Sequence, residues 1–304
     1  MKVTNELNLP QALVDAVTLE KHNAEGSLSA TTLIKGVKEI LLTDRHWDEI
    51  TVDVKDSIWA LWGTTTHKLL EKEYEGTFTE EQFEETVGSY KVTGRVDCYD
   101  MANEILYDYK TTSAWKIVFQ NFEDWYMQGM IYSWLLSLKG LKVKKCKFVA
   151  ILRDWSESES LKKADYPKSP VYTYEFDVSD ADLKDVETFI KAKVESVEKN
   201  KEVKDDNIPE CSPDERWAEQ TKYAVMKEGR KTAVKVFEDE SEANEYAKEL
   251  GEKHYVETRP GKDKKCTRYC PARDFCKYFH ETYENLVEGV QDTGVAGDTT
   301  SVCR

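Results

Sequence analysis

The chain has 304 residues, 40% of them hydrophobic and 33% charged, enough to bury one large core or two modest ones. A formal charge of -15 excludes a protein that coats polyanions indiscriminately, so any nucleic-acid contact has to be local. Apolar runs such as 131–138, interrupted by Ser133 and Ser137, fall far short of the roughly 20 residues that span a bilayer, which excludes membrane insertion.

Near the start, Asn5, Glu6 and Asn8 stand where a secretory signal needs an apolar core. A cytoplasmic protein is expected, its seven cysteines serving as thiols or metal ligands rather than disulfides. Residues 56–74 predict a helix with Ile58, Leu61, Trp62, Thr65 and Leu69 on one stripe and His67 beside it. From 89 to 112 the pattern alternates, as in a strand entering a hairpin. Residues 116–138 return to helical spacing as one helix stopped at Gly140. Strands are expected at 145–154 and 171–178, then an amphipathic helix at 179–200 opened by a Ser/Asp cap. Pro209 and Pro213, on either side of Cys211, mark a boundary between a core of residues 1–206 and a smaller unit of 207–288. That unit reads as two strands, a helix at 241–250 and a strand at 254–258, closed by a cysteine-rich segment. Residues 289–304, with Cys303, read as a disordered tail.

Residues 94–110 are the most informative stretch. A turn centred on Ala102 and Asn103 pairs Asp97 with Asp108 and Arg95 with Lys110 on one face. It pairs Val96 with Tyr109 and Cys98 with Tyr107 on the other, core-facing side. Opposed carboxylates with Cβ atoms roughly 5 Å apart repel one another. A hard divalent cation such as Mg²⁺ neutralises them, since it favours one or two carboxylates together with phosphate oxygens and water. Lys110 points the same way, where it can stabilise an attacking hydroxide or the charge of a phosphodiester transition state. The alternative is the solvated outer face of an edge hairpin.

With its neighbours this stretch resembles the PD-(D/E)XK nuclease superfamily, in particular the RecB-like branch that includes AddB and the CRISPR-adaptation exonucleases. Asp97 together with Asp108-Tyr109-Lys110 matches the family's Asp and (Asp/Glu)-x-Lys pattern, with Val96 where a Pro is usual. The resemblance covers residues 27–200. It implies that Asp97, Asp108, the upstream His67 and the Tyr109 carbonyl hold Mg²⁺ or Mn²⁺, and that Lys110 positions or activates the nucleophile. On the following helix it implies that Gln128 donates to a phosphate or positions Lys110, and that Tyr132 stacks on a base or holds the strand. Read from the residues alone, His67 is more often a core histidine than a ligand, and Gln128 and Tyr132 can equally be core or boundary residues among Trp125, Ile131 and Leu135. Glu71, one turn past His67, reads as a solvated helix end.

What the resemblance implies is an α/β fold, a restriction-endonuclease-like mixed sheet flanked by helices, with a small Cys-anchored α+β subdomain. The implied activity is metal-dependent hydrolysis of DNA, exonucleolytic rather than endonucleolytic. The stand-alone format suits a phage or mobile-element enzyme working in a host cytoplasm.

Cys266, Cys270 and Cys276, with Cys211 upstream, suit zinc or an iron-sulfur cluster, or are structural thiols. The resemblance favours a 4Fe-4S cluster. Cys98 and Cys146 read as buried small hydrophobes in strands. Lys142, Lys144, Lys145 and Lys147 line one predicted strand, as a DNA channel or a solvated face. Trp59, Trp62, Trp115 and Trp125 read as mostly core, with Trp115 a candidate for stacking on a base. No Gly-x4-Gly-Lys-Ser/Thr loop occurs, so unwinding needs a separate helicase or recombination protein. Two rivals remain: an inactive nucleic-acid-binding or scaffolding subunit of a recombination or replication complex, and a zinc-stabilised interaction module.

Overall fold

The computed structural model describes residues 1–17, 24–70, 72 and 75–284. Glu71, Tyr74, Cys303 and the expected tail lie outside the described residues. The described chain forms two compact units that divide between Val203 and Lys204.

In chain order the first unit contains β1 (Lys2–Thr4), α1 (Gln11–Val17), β2 (Ser27–Ser29), α2 (Ala30–Leu33), α3 (Val37–Arg45), β3 (Thr51–Asp53) and α4 (Val54–Leu70). It continues with β4 (Thr77–Val87), β5 (Tyr90–Asp100), β6 (Ile105–Thr112), α5 (Ala114–Val118), α6 (Glu123–Leu138), β7 (Lys145–Leu152), α7 (Glu157–Lys162), β8 (Val171–Asp177) and α8 (Asp180–Asn200). β1 and β3 make a small parallel pair. The other strands make one mixed sheet in the order β2-β5-β6-β7-β8, with β4 paired along β5.

Local chemistry explains the main elements. β7 buries Cys146, Phe148, Ala150 and Leu152 at every second position, the period of a strand with one face on a core. β8 adds Tyr174, whose ring lies 4.5 Å from Phe122, while Trp125 stacks at 5.7 Å on Phe148. α6 is apolar nearly all round and sinks into this layer, with Trp125, Met130, Ile131, Leu135 and Leu136 buried. A capping box between Ser179 and Asp182 opens α8 and satisfies its first N–H groups. Gly140, at φ 77, turns the chain after α6 in a conformation that costs glycine nothing. Gly94 serves a close approach: a Cβ there would stand 2.7 Å from Leu135 Cδ1 and 2.8 Å from Tyr132 Cδ1.

Four differences from the sequence reading stand out. The stretch 116–138 is not one helix; α5 ends at Val118, the chain turns through Gln120 at φ 51, and α6 starts afresh at Glu123. β4 and α7 are additional elements. The expected apolar stripe of α4 is largely open, only Val54 and Ser57 of that helix being buried. The β5–β6 ladder ends at Cys98 and Tyr107, so the pairs Asp97–Asp108, Val96–Tyr109 and Arg95–Lys110 do not form.

The second unit contains α9 (Pro213–Arg216), β9 (Lys222–Lys227), β10 (Lys235–Phe237), α10 (Glu240–Leu250), β11 (His254–Arg259) and α11 (Lys277–Phe279). β9 is the middle strand of an antiparallel sheet, and α10 packs Ala243 and Ala247 against its Val225. Buried Asp263 ties the flanking segments together, accepting from Arg216 Nε at 3.1 Å and from Tyr278 Oη at 2.7 Å. Among the described residues no helix is long and apolar enough to cross a membrane.

Candidate active site

Beyond Cys98 and Tyr107 the strands β5 and β6 part, while β6 stays in parallel register with β7 from Ile105 to Thr112. The gap is filled by side chains. The backbone N–H of Tyr109 donates to Asp97 Oδ2 at 2.7 Å, so a carboxylate takes the place of a ladder carbonyl. Across β5 on its other edge, β4 turns through Glu80 at φ 54, between the pairs Thr79–Cys98 and Glu81–Val96. Such a left-handed backbone is strained for a glutamate and marks sites that surrounding structure holds in place.

Here α4 delivers His67. Its Nδ1 lies 3.4 Å from Asp97 Oδ2 and 3.9 Å from Glu80 Oε1. One ligand atom from each of His67, Glu80 and Asp97 falls within 4.8 Å of the others. Hydrogen bonding to Asp97 raises the His67 pKa, against the opposing effect of burial. Glu80 also pairs through Oε2 with Arg95 Nε at 2.6 Å. The sequence reading omits Glu80; its signal is its place directly across from Asp97, visible once β4 is recognised as a strand.

Asp108 and Lys110 belong to an adjoining, deeper set. Asp108 is 1% exposed, so on the predicted chemical face it is sealed from water, while Lys110 is partly covered and Arg95 stays open. Lys110 Nζ lies 2.6 Å from Asp108 Oδ1 in an ion pair. The ammonium also donates to Gln128 Oε1 at 2.9 Å. Gln128 Nε2 donates to Asp108 Oδ2 at 3.1 Å and to Tyr132 Oη at 2.9 Å. Burial, with a smaller push from Asp97, holds the Asp108 carboxyl up at about 6, against the opposing pull of Lys110 and His67. Burial likewise pushes the Tyr132 hydroxyl up. Gln128 and Tyr132 are both buried, so neither meets a phosphate or a nucleobase directly. Gln128 orients the carboxylate and the lysine, and Tyr132 fixes the amide.

This donor set fits a divalent cation: the Asp97 and Glu80 carboxylates lie close together with the His67 imidazole, and beside them is the buried Asp108 carboxylate, whose charge is shared with the Lys110 ammonium. In the second unit, Cys266 is pushed up to about 12 by burial first, then by the charges of Asp263, Cys211 and Cys276, which places three of the four candidate thiols in one neighbourhood. Cys98 and Cys146 are buried thiols.

Two expected DNA-contacting features change. Lys144, Lys145 and Lys147 are matched to Glu104 at 2.8 Å, Glu175 at 3.1 Å and Glu175 at 3.3 Å, so they form no open cationic row. Trp59, Trp62 and Trp115 are exposed rather than core, whereas Trp125 is buried.

A model of the PD-(D/E)XK nuclease superfamily matches residues 33–277. The chain belongs to this superfamily. Its mixed sheet with flanking helices is the restriction-endonuclease-like fold, and the protein is a hydrolytic nuclease of a superfamily that acts on DNA and typically uses Mg²⁺ or Mn²⁺. A search of curated proteins finds no match. Among solved structures, the PD-(D/E)XK chain is similar to SSO0001, at 19% identity over 64% of this chain and 84% of that one with a TM-score of 0.42. It is similar to LHK-Exo in complex with dAMP at 14% identity, over 58% and 90% of the two chains, with a TM-score of 0.38. For a phage related exonuclease from Haemophilus somnus 129PT the identity is 10%, the coverage 55% and 73%, and the TM-score 0.29.

Proposed function

We propose that the protein is a metal-dependent deoxyribonuclease of the RecB-like type, acting as an exonuclease through His67, Asp97, Asp108, Tyr109 and Lys110. The observation that carries this reading is the wiring of Asp108, Lys110, Gln128 and Tyr132 into one buried network beside the His67–Asp97 contact. A solvated hairpin face has no use for such a network.

Mg²⁺ or Mn²⁺ held by His67, Asp97, Asp108 and the Tyr109 carbonyl would supply Lewis acidity toward phosphate oxygens and acidify water. The chain's own residues do the rest. Lys110, fixed by Gln128, presents an N–H to the attacking water and to the charge that develops on the phosphate. Gln128 holds Asp108 with one hydrogen of its amide and is itself held by Tyr132 through the other, so carboxylate and ammonium keep their spacing without substrate. Glu80 and Asp97 flank the His67 ring and set its orientation.

The test is cleavage of linear DNA with Mg²⁺ or Mn²⁺ by wild type, Asp108→Ala and Lys110→Ala, alongside covalently closed circular DNA. Loss of cleavage in both variants and an intact circle are expected. Equal activity in all three proteins sinks the mechanism, and nicked circles sink the exonuclease assignment.

Cys211, Cys266, Cys270 and Cys276 are read as ligands of a 4Fe-4S cluster, with zinc as the alternative. The shared neighbourhood of Cys211, Cys266 and Cys276 supports this. Iron and sulfide analysis with a broad visible absorption, lost in Cys276→Ser, is the expected result; zinc with no such band overturns it. With no motor motif in the chain, a separate helicase or recombination protein would supply duplex unwinding.

A further inference from the structure

Four large aromatic side chains stand open on the first unit. Trp59 is 52% exposed, Trp62 48%, Trp115 43% and Phe119 73%. They are arranged as two pairs. Trp59 and Trp62 lie about one turn apart on α4 with ring centroids 6.1 Å apart, and Trp115 and Phe119 stack at 6.1 Å across α5. Each pair carries a cation. The Arg153 guanidinium sits 4.6 Å over Trp59, and Lys163 Nζ sits 4.8 Å over Trp115 while also pairing with Glu159.

Both pairs border the strand that carries Asp108 and Lys110. α4 approaches β6 at Gly63, where a Cβ would lie 3.5 Å from Thr111 Oγ1, and His67 is one turn further along the same helix. α5 follows β6 directly. Asp154 anchors its start, accepting from Ser113 Oγ and from the Ala114 N–H, each at 2.6 Å. Arg153 links the pairs, its N–H donating to Thr112 O at 2.9 Å while its side chain covers Trp59.

Exposed aromatic rings interleaved with cations suit a chain of unpaired bases joined by phosphates. The interior of a duplex hides its base faces and offers such a surface nothing to stack on. We infer that Trp59, Trp62, Trp115 and Phe119 form a platform for the unpaired bases of a single-stranded DNA end, with Arg153 and Lys163 on its phosphates, leading the strand toward Lys110. The destination rests on the nuclease reading; the binding itself does not.

The experiment is fluorescence anisotropy of end-labelled single-stranded oligothymidylate and of a blunt hairpin duplex, with Ca²⁺ as the sole divalent cation. Trp59→Ala and Trp115→Ala are each expected to weaken single-strand binding about 5- to 100-fold. Duplex binding should stay within about twofold, and Trp59→Phe and Trp115→Phe should recover most of the loss. Thermal unfolding of the four variants, whose substituted rings face solvent, guards against a folding defect. Alanine variants that bind the single strand as wild type does, or that lose both ligands equally, overturn the platform. Cleavage distinguishes the two readings: a protein that needs these rings to bind but cuts no DNA sinks the nuclease reading alone, and a nuclease indifferent to them sinks the platform alone.

Discussion

The Tyr109 N–H donates to Asp97 Oδ2 at 2.7 Å, so a candidate metal ligand also completes the hydrogen bonding of the strand that carries Asp108 and Lys110. Asp97→Ala leaves that N–H without its acceptor and is expected to cost about 1–3 kcal/mol. Asp97→Asn keeps an oxygen in place and retains most of the stability, while both changes abolish cleavage. Chemical denaturation run beside the DNA assay checks this; identical destabilisation by the two substitutions would remove the structural half of the claim.

Asp108 gives a pH dependence of definite sign. Its carboxyl is held up at about 6 from an ordinary 3.8, chiefly by burial. An acid whose pKa is raised by folding binds its proton more tightly in the folded state. The contribution of this group to the stability of the cation-free protein therefore falls as pH rises from about 4 to about 6 and is flat above that. Every tenfold gain in proton affinity on folding corresponds to roughly 1.4 kcal/mol. Asp108→Asn should remove the slope and, without divalent cations, unfold at a higher temperature than wild type at neutral pH, yet cut no DNA. Added Mg²⁺ should stabilise wild type and leave Asp108→Asn unchanged. Melting curves across pH, with and without Mg²⁺, decide the matter.

Gln128 is buried and bonded to Lys110, Asp108 and Tyr132, so on the nuclease reading its role is positioning. Gln128→Ala should lower kcat by about 10- to 100-fold, with KM nearly constant, because Lys110 and Asp108 lose their common anchor. Tyr132→Phe keeps the ring against β5 and loses one hydrogen bond, so a smaller fall is expected. A change confined to KM in Gln128→Ala would contradict the assignment.

Gly94→Ala places a methyl group where Leu135 Cδ1 is 2.7 Å away and Tyr132 Cδ1 2.8 Å away. Overpacking of this kind costs about 1–3 kcal/mol. Since the displaced ring belongs to Tyr132, kcat should fall with stability, whereas Gly140→Ala, strained but with no atom within 4 Å, should lower stability alone. Denaturation and steady-state kinetics on the two variants check the contrast.

What the sequence discloses follows locality. The hairpin turn is legible because Asp100 Oδ1 accepts from the Ala102 and Asn103 N–H groups, a bond within four residues, and the register at Cys98–Tyr107 follows from it. The parting of the strands beyond is not legible, since no local bond marks it: past Tyr107, β6 keeps its long-range pairing with β7 and the Tyr109 N–H turns to the Asp97 side chain. β4 escapes notice because Glu80, Glu81, Glu84 and Glu85 obscure its alternation, and Glu80 escapes with it. The break between α5 and α6 is masked by Phe122, which keeps the apolar spacing while packing on Tyr174 from outside either helix. Hydrophobicity assigns Trp59, Trp62 and Trp115 to the interior, and composition contains nothing that separates a ring packed inward from one turned to water.

The pairing of Lys144, Lys145 and Lys147 with Glu104 and Glu175 has a consequence for how the molecule behaves in brine. Cations already matched to acids displace few of the counterions condensed on DNA, and the slope of log affinity against log salt tracks the number displaced. On a chain carrying -15, a shallow slope of about two or three is expected, an affinity that outlasts ionic strengths at which more basic nucleases let go.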